Sequence, residues 1–131
     1  MMHYLECIAM LEYLHKKLHS TQRQQVPIST IDDVQQVLVQ IKRKMQNEKN
    51  TEVQVRIRDA MEALEEVRSV QGLMFLTQQM KNAIVSCLDD LLSVFRLKVF
   101  EYYKYTEFEV TDEIIPIMRS VVSEALKKGV I

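Results

Sequence analysis

From the first residues onward, apolar side chains return at steps of three and four: Leu5, Ile8, Leu11, Leu14 and Leu18. Those steps place all five on one face of a 3.6-residue turn, so an amphipathic helix is predicted over 2–19. The polar stretch from Ser20 to Gln25 and then Pro27 interrupt the pattern, because proline disfavours helix in the residue before it. Ser29 with Asp32, and Thr30 with Asp33, are spaced as N-cap pairs, which satisfy the backbone N–H groups that open a helix. Ile31, Val34, Leu38, Ile41 and Met45 then predict a second helix over 30–46. After the polar run Asn47 to Asn50, Thr51 is placed to cap a third helix over 51–71 whose buried face is Val53, Ile57, Ala60, Leu64 and Val67. Two stripes of one period joined by so short a loop imply an antiparallel hairpin. Val53, Val55 and Ile57 also alternate as a strand would, but no second strand is on offer to pair with them, and the helical reading stands.

Gly72 is placed as the C-terminal cap of the third helix. Beyond it Leu73, Leu76, Met80, Ile84, Leu88, Leu91, Phe95, Val99 and Tyr102 form one stripe, in phase at about 3.6 residues per step. A fourth helix over 73–106 follows. A last helix is predicted over 112–128, opened by Thr111, with Pro116 early in it, Val121 and Ala125 inward, and Lys127, Lys128 and Gly129 as the stop. The expected fold is all-α, a single-domain up-and-down bundle of four to five helices with one long central helix.

The length of that central helix carries an expectation about assembly. About 34 residues at 1.5 Å each span about 51 Å, whereas a compact chain of this size has a diameter of about 36 Å. Some 15 Å, roughly, would overhang. The overhang would carry the stretch FEYYKYTEF at 100–108, which holds Phe100, Tyr102, Tyr103, Tyr105 and Phe108. Aromatic side chains are enriched at interface hot spots, and adjacent Tyr102 and Tyr103 point about 100° apart on a helix, so both cannot enter one core. Phe95, Val99, Phe100, Tyr102, Tyr103, Tyr105 and Phe108 are therefore the candidate partner-binding residues, with a second copy or a helical partner covering 95–108.

Composition removes whole classes. Two Gly and two Pro in 131 residues leave no Gly-rich phosphate loop and too few turns for a β-sandwich, and 47% hydrophobic residues are too many for a disordered chain. The formal net charge is −1, which gives no overall attraction to nucleic acid or an acidic membrane. It is unevenly spread: residues 1–58 carry nine Lys or Arg against six Asp or Glu, and residues 59–131 carry eight against twelve. Lys42, Arg43, Lys44, Lys49, Arg56 and Arg58 gather around the hairpin loop, the residue type that neutralises phosphates. Nucleic-acid binding through 42–58 is the alternative function, although no aromatic lies among them to stack on bases.

Other chemistry is thin. His3 with Cys7, and His15 with His19, share helix faces at i and i+4, the spacing of two metal ligands, yet nothing obvious completes a set of four. Asp59, Glu62, Glu65 and Glu66, and then Asp89 and Asp90, read as solvated faces with no inward ExxH pair. All three histidines lie in the first nineteen residues, so a Cys or Ser nucleophile has few bases to recruit. No enzyme activity, metal or cofactor is expected. Cys7 and Cys87 without any CxxC suit free thiols in a reducing compartment. Glu6 and Glu12 without a basic leader argue against a signal peptide, and Asp89, Asp90, Arg96 and Lys98 break the most apolar stretch, so no membrane partner is expected. The expectation is an intracellular protein-interaction or assembly module, self-associating or binding a helical partner.

Overall fold

The computed structural model describes residues 2–19, 26–104 and 111–131, and among them every regular element is an α-helix: α1 Met2–His19, α2 Thr30–Lys44, α3 Thr51–Arg68, α4 Gln78–Tyr103 and α5 Ile115–Lys127. α1 packs on α2 and α4, and α3 packs on the same two, so the first four helices close a square; α5 lies against α4 and α1. Their directions follow from the ion pairs between ends. Lys17 near the end of α1 meets Asp33 at the start of α2 at 3.0 Å, Lys44 at the end of α2 meets Glu6 near the start of α1, and Arg68 ending α3 meets Asp32 opening α2. Lys17 and Arg68 lie in last turns and Asp33 and Asp32 in a first turn, so these two pairs also set opposite charge against helix dipole ends.

The interior is built by the stripes that the periodicity marks. Ile8, Leu11, Leu14 and Leu18 from α1, Ile31, Val34, Leu38 and Ile41 from α2, Val53, Ile57, Ala60, Leu64 and Val67 from α3, and Ile84, Leu88, Leu91, Phe95 and Val99 from α4 are all buried, with Met45 from the α2–α3 turn. The 53–57 stretch is helical. Its strand-like alternation is overridden because Val53 and Ile57, one turn apart, both enter the core while Val55 between them is only half-buried.

α1 spans the expected 2–19, and α2 and α3 begin at the expected 30 and 51; the other boundaries depart from the sequence expectation, each for a local reason. Ser29 occupies the N-cap of α2 but its side chain makes no capping bond, and the helix ends at Lys44, not 46. The cap of α3 is Asn50, not Thr51: its Oδ1 accepts from the Val53 N–H at 3.1 Å. The α3 helix closes at Arg68, with the Ser69 hydroxyl donating to the Glu66 carbonyl at 2.6 Å, and the left-handed turn of Gly72 (φ 82°) comes after it rather than capping it. Thr111 leads into α5 without opening it; its carbonyl accepts from Ile114 and Ile115 N–H, and Pro116 falls in the first turn, where its missing N–H costs nothing.

The largest correction concerns α4, which begins at Gln78, not at residue 73. Thr77 caps it, accepting from the Met80 N–H at 3.1 Å. The residues before it are held elsewhere: Ile28 N–H donates to the Met74 carbonyl at 2.9 Å and Leu76 N–H to the Val26 carbonyl at 2.8 Å, an antiparallel bridge centred on Pro27 and Phe75. The helix has 26 residues, hence a length of about 39 Å. That nearly matches the expected molecular diameter, so the large overhang inferred from sequence, and the dimer argued from it, lose their basis. Residues 105 and 106 lie outside the described residues.

Candidate functional site

The aromatic stretch divides between core and surface. Phe95 is fully buried, its ring edge-on to Tyr4 with centroids 5.4 Å apart, and Val99 is equally buried. Both are four apart on the inward face of α4, so neither is available to a partner, which removes two residues from the set read off the sequence. Phe100 and Tyr103 are half-buried against the core, and Tyr102 stands out at 48% exposure with its ring edge-on to Tyr103. Tyr105 and Phe108 lie outside the described residues.

The six basic residues point several ways. Lys44 turns to α1 and pairs with Glu6, which holds that carboxyl below the usual range. Lys42 and Arg58 border the groove between α2 and α3, Arg43 lies with Asp32 on another face, and Arg56 faces a third groove beside Glu52. Arg58 is further matched by Asp59 and Glu62 at 3.7 and 3.8 Å. Lys49 is exposed at the loop. Of the six, Lys42 and Arg58 alone line a common groove.

His15 and Asp89 pair across α1 and α4 at 2.6 Å, with His19 stacked obliquely on His15. Among the described residues no three His, Cys, Asp or Glu side chains gather as a metal site would require. Cys7 is fully buried and burial pushes its thiol up to about 12, so it is a poor nucleophile at neutral pH. Cys87 is also a free thiol with its pKa raised, by burial first and then by Asp90, Asp59 and Glu66. A polar groove of about 760 Å³ runs along the outer face of α4 between α3 and α5, with Arg96 and Asp89 among its walls. Its charges largely answer one another. Arg96 reaches Glu12 on α1 at 3.1 Å and Glu124 on α5 at 3.8 Å, and the Ser120 hydroxyl donates to the same Glu12 oxygen at 2.7 Å.

Two apolar surfaces escaped the sequence reading. On α5, Val122 and Leu126 are 41% and 61% exposed and stand one turn apart. At the end of the bundle where α3 leads into α4, Val70, Leu73, Met74 and Phe75 are exposed within six residues, Met74 at 76%. The signal for the second was present: Leu73 to Leu76 are four consecutive apolar residues, and a helix cannot turn four in a row toward one core. No family model, curated protein or solved structure matches this chain.

Proposed function

We propose that this protein is an interaction or assembly module without chemistry of its own, engaging a protein partner through the bundle end formed by Val70, Leu73, Met74 and Phe75. The observation that carries the reading is the exposure of these four apolar side chains within six consecutive residues. Clustered exposed apolar side chains mark protein contact sites. No helix among the described residues is long and apolar enough to cross a membrane. The two unpaired thiols support a reducing, intracellular setting. Nucleic acid as a partner is disfavoured by the division of Lys42 with Arg58, Arg43 and Arg56 among three grooves, and by the pairing of Lys44 with Glu6.

The test is affinity capture from cell extract with the intact chain and with Met74→Glu, each with and without nuclease. The substitution sits at a highly exposed position, where changes usually cost within about 0.5 kcal/mol of stability. Protein captured by the intact chain, lost with Met74→Glu and indifferent to nuclease, is the expected result. Capture that survives the substitution, or that vanishes with nuclease, overturns the reading.

A further inference from the structure

We propose that the first turn of α4 and Lys81 together bind a phosphoryl group. This goes beyond the interaction reading and stands or falls separately from it. Thr77, Gln78 and Gln79 are exposed. The Met80 N–H is taken by the Thr77 hydroxyl at 3.1 Å and the Lys81 N–H by the Thr77 carbonyl at 3.0 Å. The N–H groups of Gln78 and Gln79 meet no acceptor among the described residues. Such groups point out along the helix axis, and with the helix dipole they amount to about half a positive charge. No carboxylate answers it: the first turn of α4 has no acidic residue, and the chain has none from Ser69 to Leu88.

A helix start alone is satisfied by water, and Lys81 is what sets this one apart. Its side chain is only 7% exposed, yet among the described residues it makes no ion pair and no hydrogen bond. Burying an ammonium without a counter-charge is costly. Helical side chains lean toward the N-terminus, and Lys81 stands one turn, about 5.4 Å, beyond Thr77 and Gln78. Its four-carbon stem therefore lies back over the first turn and carries the ammonium toward the free N–H groups. The carboxylates at this end of the bundle are engaged elsewhere, Asp32 with Arg68 and Asp33 with Lys17. The chemistry of the ligand follows from the donors. Lys81 and the dipole supply roughly one and a half positive charges, and two N–H groups with one ammonium offer bonds to three oxygens. A phosphoryl group brings about −1.5 to −2 at pH 7 and three strong acceptor oxygens; a carboxylate brings less charge and two oxygens.

The test is amide NMR of the intact chain during titration with inorganic phosphate, the ionic strength being held constant with chloride. Shifts centred on Gln78 and Gln79 should saturate with a Kd of about 1–10 mM. Phenyl phosphate distinguishes the sources of the group: tighter binding than inorganic phosphate assigns the site to a phosphate ester, weaker binding to the free ion. Lys81→Met keeps the buried stem without the charge, and should fold and bind phosphate roughly tenfold more weakly. Gln78→Pro deletes one donor where proline is tolerated, since Thr77 already holds the extended backbone (φ −71°, ψ 161°) that precedes proline. It should weaken binding about fivefold. No saturable shift at Gln78 and Gln79, shifts centred on other residues, or a folded Lys81→Met or Gln78→Pro that binds phosphate as the intact chain does overturns the site.

Discussion

Phe95 and Tyr102 lie seven positions apart on α4, almost in phase, and their fates differ completely: one is sealed in the core and the other is half in water. The difference is depth along the helix, since Tyr4 of α1 covers Phe95 while Tyr102 sits in the last turn before Tyr103 ends the helix. Phe95→Ala is therefore expected to lower unfolding stability by about 3–5 kcal/mol, as for a buried aromatic, and to leave association of the folded chain unchanged; urea unfolding with sedimentation separates the two effects. Cys7 supplies a pH prediction. Its thiol is raised from 9.0 to about 12 in the folded chain, so the stability it contributes is complete below pH 9 and is lost as pH climbs toward 12. Tyr4 is raised too, by burial first and then by its bond to Glu48, and acts in the same direction. Chemical unfolding between pH 8 and pH 11 should show stability falling on the alkaline side, less steeply in Cys7→Ala.

At the scale of the element, the inward faces follow the stripes from Ile8 to Val99, while Leu73 and Tyr102 at the ends of the fourth stripe do not, and several helix ends fall elsewhere than the periodicity places them. Periodicity reports which face is buried, whereas a helix end is set by whichever side chain captures an orphan N–H. At α3, Thr51 and Asn50 are both competent caps, and Asn50 holds the extended backbone a cap requires (φ −72°, ψ 115°). Asn50→Ala is expected to cost about 1 kcal/mol and Thr51→Ala well under half of that, measured by thermal or urea unfolding. The start of α4 fails for a different reason. Leu73 and Leu76 continue the helical phase of Met80 and Ile84, yet Met74 and Leu76 give their backbone bonds to residues 28 and 26. A pairing between segments so distant in sequence leaves no mark in a local period.

On the scale of the whole molecule, α5 is held to the four-helix square by a polar junction as much as by its apolar face. Arg96 of α4 lies between Glu12 of α1 and Glu124 of α5, and Ser120 of α5 shares the Glu12 oxygen. Glu124 is itself buried. Glu12→Ala leaves Arg96 with Glu124 alone and Ser120 with the Ile117 carbonyl at 2.7 Å, and losing a hydrogen bond to a charged group costs about 1.5–3 kcal/mol. The loss should fall mainly on α5: amide exchange over 115–127 is expected to speed up more than exchange in α2 and α3. Equal acceleration throughout the bundle would show that the junction does not hold α5 in particular.

The sequence by itself determined the helical class, a bundle of four to five helices and most of the inward face of each of the first four, because the 3.6-residue return of Leu, Ile and Val is local and the hydrophobic effect acts on it wherever the chain goes. It also announced the aromatic stretch and the basic hairpin as features, without saying which way they face. Only the tertiary structure decided that Phe95 and Val99 belong to the interior, that Lys44 is spent on Glu6, and that Lys42 and Arg58 share a groove that Arg43 and Arg56 do not border. It alone decided that 74–76 pairs with 26–28 instead of opening α4. These outcomes depend on which segments meet, and the positions that meet are fixed by packing and by long-range hydrogen bonds, which no spacing along one segment can encode.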